Sequence, residues 1–202
     1  QIKYIDCYTY YYRYLIPSSL KNIEVTVQTS IPDYAFENCD LLGSVTIPDS
    51  TSSIGNNLCR NCTSLINFNS NVSTQCNIPE GIIAIGDYAF FGCEELTMFT
   101  MSDSITSIGS YAFSGCSSAL KFNSETSLVL LVPSSCESVG DHAFQNMALL
   151  TSATFGDSVT SIGDGALNGC TSLVDLTIPF VGASVDAAGQ KSPLGWIFGT
   201  DG

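Results

Sequence analysis

Along most of the chain the apolar residues fall in a fixed cadence. Counted from a recurring cysteine they return at +3, +6 and +8, as in Leu42, Val45 and Ile47, then Leu96, Phe99 and Met101, then Leu150, Ala153 and Phe155, then Leu173, Leu176 and Ile178. The +6/+8 pair alternates with polar neighbours, which predicts a short strand with one face inward. Pro48, Pro79, Pro133 and Pro179 stop these strands, because proline has no N–H to give a ladder. A second alternating run, for example Ile105-Thr106-Ser107-Ile108, predicts another short strand on the opposite wall. Between them, segments such as Asp87-Tyr88-Ala89-Phe90-Phe91-Gly92-Cys93 are too short for a free-standing helix. Each is expected to form one helical turn held by burial of its Ala and Phe.

The cadence is one phrase rewritten. Its lead residues are Ile31, Ile54, Ile85, Ile108, Val139 and Ile162, so the steps are 23, 31, 23, 31 and 23. The period is therefore a 54-residue pair. Self-similarity on this scale marks a solenoid, in which a single unit cannot close a core and neighbours bury one another.

The shared core, Ile-Gly-x-x-Ala-Phe-x-x-Cys-x-x-Leu with its strand-ending Ile-Pro and Pro-Asp-Ser turn, resembles the BspA-like (Treponema-type) leucine-rich repeat family across roughly residues 15 to 180. The resemblance implies an α/β, right-handed leucine-rich-repeat solenoid. Short parallel strands would form two walls joined by single helical turns, in six repeats alternating 23 and 31 residues. It also implies a secreted or surface-attached protein, often an adhesin toward host matrix or other cells. On this reading residues 1–30 are a Tyr-rich cap and lead-in strand, 31–179 the repeats, and 180–202 a Gly/Pro-rich exit segment. Pro17-Ser18-Ser19-Leu20-Lys21 and Pro193-Leu194-Gly195-Trp196 resemble the start and finish of modules in tandem arrays, so the chain is expected to be one module of such an array.

In the opening segment Tyr8, Tyr10, Tyr12 and Tyr14 alternate, as in a strand with an aromatic face. A cap over the first open coil is preferred to a sticky aromatic patch. The 31-residue units carry eight extra residues, Ser70 to Asn77 and around Ser124 to Val129. They are expected to bulge as two loops about 10 Å apart, either as binding loops or as tolerated lengthening.

The outward strand positions, +5 and +7 from the cysteine slot, are Ser44, Thr46, Asn67, Asn69, Met98, Thr100, Lys121, Asn123, Ser152, Thr154, Asp175 and Thr177. A flat row of hydroxyls and amides suits the polar surface of a protein or glycan, or an extended chain. It does not suit a concave small-molecule pocket. The competing explanation is that Thr and Ser simply favour exposed strands.

Charge narrows the choice of partner. Nineteen Asp and Glu against six Lys and Arg give −13, which disfavours nucleic acid and anionic membrane surfaces. No run of 18 apolar residues predicts membrane insertion.

Nine cysteines raise the question of disulfides. Cys39, Cys62, Cys93, Cys116 and Cys170 share a slot that also accepts Met147, so they read as small buried hydrophobes. Cys59 and Cys136 replace core residues of other copies. Cys7 and Cys76 have no core assignment, and a bond between them is left open.

No catalytic, metal or cofactor site is expected. His142 is the single histidine and falls at a variable turn position, so it is read as surface decoration. Asp33, Asp87 and Asp141, and likewise Asp49, Asp103 and Asp157, recur by repeat. Members of a set are two coils apart, about 10 Å, too far to share a calcium ion. Turn chemistry accounts for them better. Asn71-Val72-Ser73 matches the glycosylation triplet and would matter in a eukaryotic source. The function expected is non-catalytic, adhesin-type binding at the cell surface through the polar strand face, with a structural spacer as the alternative.

Overall fold

A computed structural model describes residues 19–124, 128–181, 184 and 193–199. They form a right-handed solenoid of short parallel strands. One wall is a nine-stranded sheet built from β1 (Asn22–Glu24), β3 (Ser44–Thr46), β5 (Asn67–Phe68), β6 (Gln75–Asn77), β8 (Met98–Thr100), β10 (Lys121–Phe122), β11 (Val129–Leu131), β13 (Ser152–Thr154) and β15 (Asp175–Thr177), in that order. The opposite wall holds β2 (Ser30–Ile31) and β4 (Ser53–Ile54) as a pair, then β7 (Ala84–Ile85), β9 (Ser107–Ile108), β12 (Ser138–Val139) and β14 (Ser161–Ile162) as a four-stranded sheet. The only helix among the described residues, α1 (Pro193–Phe198), closes the last coil.

Register explains how these very short strands persist. Val45 lies against Phe68, Phe68 against Cys76, Cys76 against Phe99, and Phe99 against Phe122. One inward residue per strand thus stacks on its equivalent in the next coil. Phe90, Phe113 and Phe144 form a second file with centroids 5.7 Å apart and near-parallel planes, and Phe99 and Phe122 meet it edge-on. Edge-to-face and offset stacking are the favoured geometries of aromatic pairs.

Two sequence expectations are corrected here. The extra residues of the long units do not serve only as lengthened loops. In each long unit an added strand, β6 or β11, pairs eight residues after its predecessor: Asn67 with Gln75, and Lys121 with Val129. With β1 at the first coil as the third extra strand, the nine-stranded wall exceeds the six-stranded one by three strand spacings, roughly 14 Å. The second wall pairs across one such step, β9 with β12, and its ladder is interrupted at the other, between β4 and β7.

The connecting segments are not helical turns either. Tyr34, Asn57, Tyr88, Tyr111, His142 and Gly165 have φ of 53° to 62°, and four residues on Asn38, Asn61, Gly92, Gly115, Asn146 and Gly169 have φ of 57° to 76°. Two left-handed residues per segment are incompatible with an α-helix of L-residues. The backbone instead aims alternate N–H groups at the next coil, as in Tyr34 to the Asn56 carbonyl (2.8 Å), Phe36 to Leu58 (2.9 Å) and Asn38 to Arg60 (2.7 Å). The turns are thus a third ladder. The second left-handed position explains why every copy carries Asn or Gly there.

Candidate functional site

The nine-stranded wall brings most of the predicted outward row into line. Ser44, Asn67, Met98, Lys121, Ser152 and Asp175 share one register file, and Thr154 and Thr177 lie together in the next. The sequence reading missed Gln75 and Val129, which fill the gaps in the first file, and Asn77 and Leu131, which enter the second. Their signal was present. Gln75-Cys76-Asn77-Ile78-Pro79 and Val129-Leu130-Leu131-Val132-Pro133 repeat the strand alternation with its proline stop. Cys76 is consequently a core residue, fully buried between Phe68 and Phe99 with a free thiol. Cys7 itself and the alternating tyrosines lie outside the described residues.

The wall is not flat, contrary to expectation. A groove of about 1170 Å³ runs over β6 and β8, between Asn69 after β5 and Asn123 and Ser124 after β10. Across it lie Asn69, Gln75, Asn77, Met98, Thr100 and Asn123, with the carboxylates of Asp49, Glu80 and Asp103 along one border. The two corners, after β5 and after β10, stand three strand spacings apart, roughly 14 Å. Both are asparagines in the left-handed region, Asn69 (φ 51°) and Asn123 (φ 52°), and Thr74 and Leu128, just before β6 and β11, lie in it too. Asn tolerates this region better than other non-glycine residues.

Several side chains of the row are occupied in shaping the groove. The Asn67 amide nitrogen donates to the Val72 carbonyl at 2.6 Å, holding the first loop. The Ser70 hydroxyl donates to Gln75 Oε1 (2.8 Å), and Gln75 Nε2 donates to Thr100 Oγ1 (3.2 Å). Asn123 Oδ1 accepts the Met101 N–H at 2.6 Å. The groove floor is thereby set before any partner arrives.

Other conspicuous residues turn out to serve the stack. Four of the five slot cysteines donate S–H to a carbonyl of the preceding coil, Cys62 to Phe36 (3.0 Å), Cys93 to Cys59 (3.2 Å), Cys116 to Phe90 (3.2 Å) and Cys170 to Phe144 (3.3 Å), while Cys39 donates to Glu37 in its own coil (3.8 Å). Burial pushes the thiols of Cys59, Cys76, Cys93 and Cys116 well up, and those of Cys136 and Cys170 to about 11, so nucleophilic thiolate is suppressed. The Asp set is a ladder between coils. Asp33, Asp87 and Asp141 accept the backbone N–H of Asn56, Ser110 and Asp164 at 2.7 to 2.9 Å.

His142 is not surface decoration. Its ring stacks on Tyr111 at 4.7 Å, Tyr111 stacks on Tyr88 at 4.8 Å, and the Arg60 guanidinium lies 5.0 Å above Tyr88. Burial, then the neighbouring Tyr88, Asp141 and Asp164, raise the Tyr111 pKa. A Cβ on Gly165 would fall 2.6 Å from His142 Cε1, so glycine makes room for the imidazole.

Parallel walls, an inward cysteine slot and stacked turns define a leucine-rich-repeat solenoid, and comparison with known proteins fixes which kind. The sequence matches the family described as BspA type Leucine rich repeat region in six copies, over residues 3–75 and 67–180, and the chain belongs to that family. A leucine-rich repeat protein of Treponema pallidum is similar in structure, with 26% identity and a TM-score of 0.65 over 78% of this chain and 69% of that one. A leucine-rich repeat protein of Bacteroides ovatus shares the fold, with 21% identity and a TM-score of 0.58 over 79% of this chain and 46% of that one. The chain thus spans less than half the length of the Bacteroides protein. No curated protein sequence matches the chain. Among the described residues no helix is long and apolar enough to cross a membrane, and no group of His, Cys, Asp or Glu is placed to hold a metal ion.

Proposed function

We propose that this chain is a non-catalytic interaction module of adhesin type, acting at the cell surface and holding a macromolecular partner on its nine-stranded wall. The observation that carries the reading is the groove over β6 and β8, whose polar floor is fixed by its own hydrogen bonds and bounded by the asparagine corners Asn69 and Asn123. A preformed floor does not have to be ordered on binding, which removes part of the entropic cost of association. The six-stranded wall carries only a smaller hollow, about 420 Å³, over β7, β9, β12 and β14. Its outward positions are Ser30, Ser53, Ala84, Ser107, Ser138 and Ser161, small side chains with little reach. Family membership supports an interaction role, and repetition of such a module along one chain would raise a modest affinity through multivalency.

The test is capture of the soluble chain on an array of extracellular matrix proteins and glycans. It compares the double variant Gln75→Ala/Thr100→Ala with Ser107→Ala/Ser138→Ala on the other wall. Binding should fall at least about tenfold for the first and stay unchanged for the second. No capture of the folded wild-type chain on any surface would favour the spacer role instead.

A further inference from the structure

We infer that the occupant of this groove is an extended, basic stretch of polypeptide laid across the strands. The inference rests on the binding role proposed above and specifies its ligand. Charge is the first ground. Asp49, Glu80 and Asp103 border the groove and are exposed, and no Lys or Arg is among the residues that line it. Neither of the cations nearest by sequence and register lines it. Arg60 is held on the turn ladder by Glu37 and Tyr88, and Lys121 lies on β10 beside Met98 without lining the groove. The potential inside is therefore negative, which repels anionic glycans and nucleic acid and draws in ammonium and guanidinium groups.

The second ground is the chemistry of the floor. Amides and hydroxyls, Asn69, Asn77, Thr100 and Asn123, alternate with the apolar edge of Met98. Such a surface can pair with peptide N–H and C=O groups, because its amides and hydroxyls both donate and accept. A neutral sugar would also find hydrogen-bond partners here. It would lack an aromatic face to stack on, since Phe99 is the one aromatic residue in the lining and is fully buried.

Dimensions set the length. The carboxylates follow β3, β6 and β8, a span of three strand spacings or roughly 14 Å, which an extended chain crosses in about four residues. Two basic side chains on the same face of such a segment lie about 7 Å apart. They would reach Glu80 and Asp103 on neighbouring strands, or Asp49 and Glu80 two strands apart.

The experiment uses labelled eight-residue peptides of alternating Lys and Thr, with Gln-Thr and Glu-Thr versions, and a neutral hexasaccharide, read by fluorescence anisotropy in 50 and 500 mM salt. The chain is compared with Asp49→Asn/Glu80→Gln/Asp103→Asn and with a control triple elsewhere, Asp40→Asn/Glu94→Gln/Glu95→Gln, thermal melts confirming that all three fold. The Lys peptide should bind at least about tenfold tighter than the Gln peptide, lose about tenfold in the groove triple and not in the control, and weaken in high salt. Equal loss in both triples, or equal binding of Lys and Gln peptides, overturns the inference, because the first means unspecific attraction to an acidic protein. Hexasaccharide binding that Gln75→Ala/Thr100→Ala abolishes and the groove triple leaves intact would overturn the peptide ligand and keep the groove. If neither set of groove substitutions alters any binding, the groove itself is refuted.

Discussion

The aromatic file makes Phe113 the residue whose loss should be felt most. Its ring is fully buried, stacked 5.7 Å from both Phe90 and Phe144, and met edge-on by Phe99 at 5.0 Å and Phe122 at 5.3 Å. Phe to Ala in a core costs about 3–5 kcal/mol, and aromatic pairs add about 0.5–1.5 kcal/mol each beyond area. With four ring partners, Phe113→Ala should sit at the upper end, about 5 kcal/mol. Phe113→Leu keeps most of the apolar volume and should cost about 2 kcal/mol. Urea unfolding followed by far-UV circular dichroism measures both values. Trp196, the sole tryptophan, reports separately on the last coil, where its indole N–H donates to the Ile162 carbonyl at 2.8 Å. Stability in a solenoid is carried by nearest-neighbour interfaces, so a break in the middle should separate the two transitions. A cost below about 1.5 kcal/mol for Phe113→Ala would show that the rings are not what couples the coils.

Four further outcomes follow from the same structure. Alkylation mapping at pH 8 should leave all eight described cysteines unmodified in the native state, and Cys136 and Cys170 should react before Cys93 and Cys116 as urea is added. Because folding raises these thiol pKa values, stability should be constant below the unfolded-state value near 9 and fall from there up through about 11, as the unfolded chain loses protons that the folded one keeps; unfolding midpoints that stay level across this range would contradict the assigned burial. Gly115 (φ 76°) should accept Asn, which holds the equivalent position as Asn38, Asn61 and Asn146, with a loss of about 1 kcal/mol or less, whereas Val, strained at positive φ, should cost more in thermal melts. Gly163→Ala would set a Cβ 2.3 Å from the Asp141 backbone nitrogen, where no side chain can yield, and should destabilise by about 3 kcal/mol or lower the Tm by about 10 °C.

Much of this fold was legible in the sequence because a solenoid writes its packing into its period. The +3, +6 and +8 positions are inward because the chain must bury the same face in every coil, and Leu42, Val45 and Ile47 or Leu96, Phe99 and Met101 show it in the structure. The cysteine slot was equally readable, since a position shared with Met147 tolerates neither solvent nor pairing.

What lay beyond the sequence depended on contacts between coils. Gln75–Asn77 carries strand alternation over only three residues, and such a run becomes a strand only when β5 and β8 stand on either side to take its hydrogen bonds. The same holds for the turns. Whether Asp87 to Cys93 winds as a helix or opens into a ladder is decided by the neighbouring coil, which takes the N–H groups an isolated segment would satisfy internally. His142 looked like a free choice at a tolerant position. Its stacking on Tyr111 arises because register places equivalent residues one strand spacing apart. The sequence alone determined what faces inward. The groove, the added strands and the aromatic ladder were decided by the stacking of coil on coil, because each joins residues that are distant along the chain and adjacent only in register.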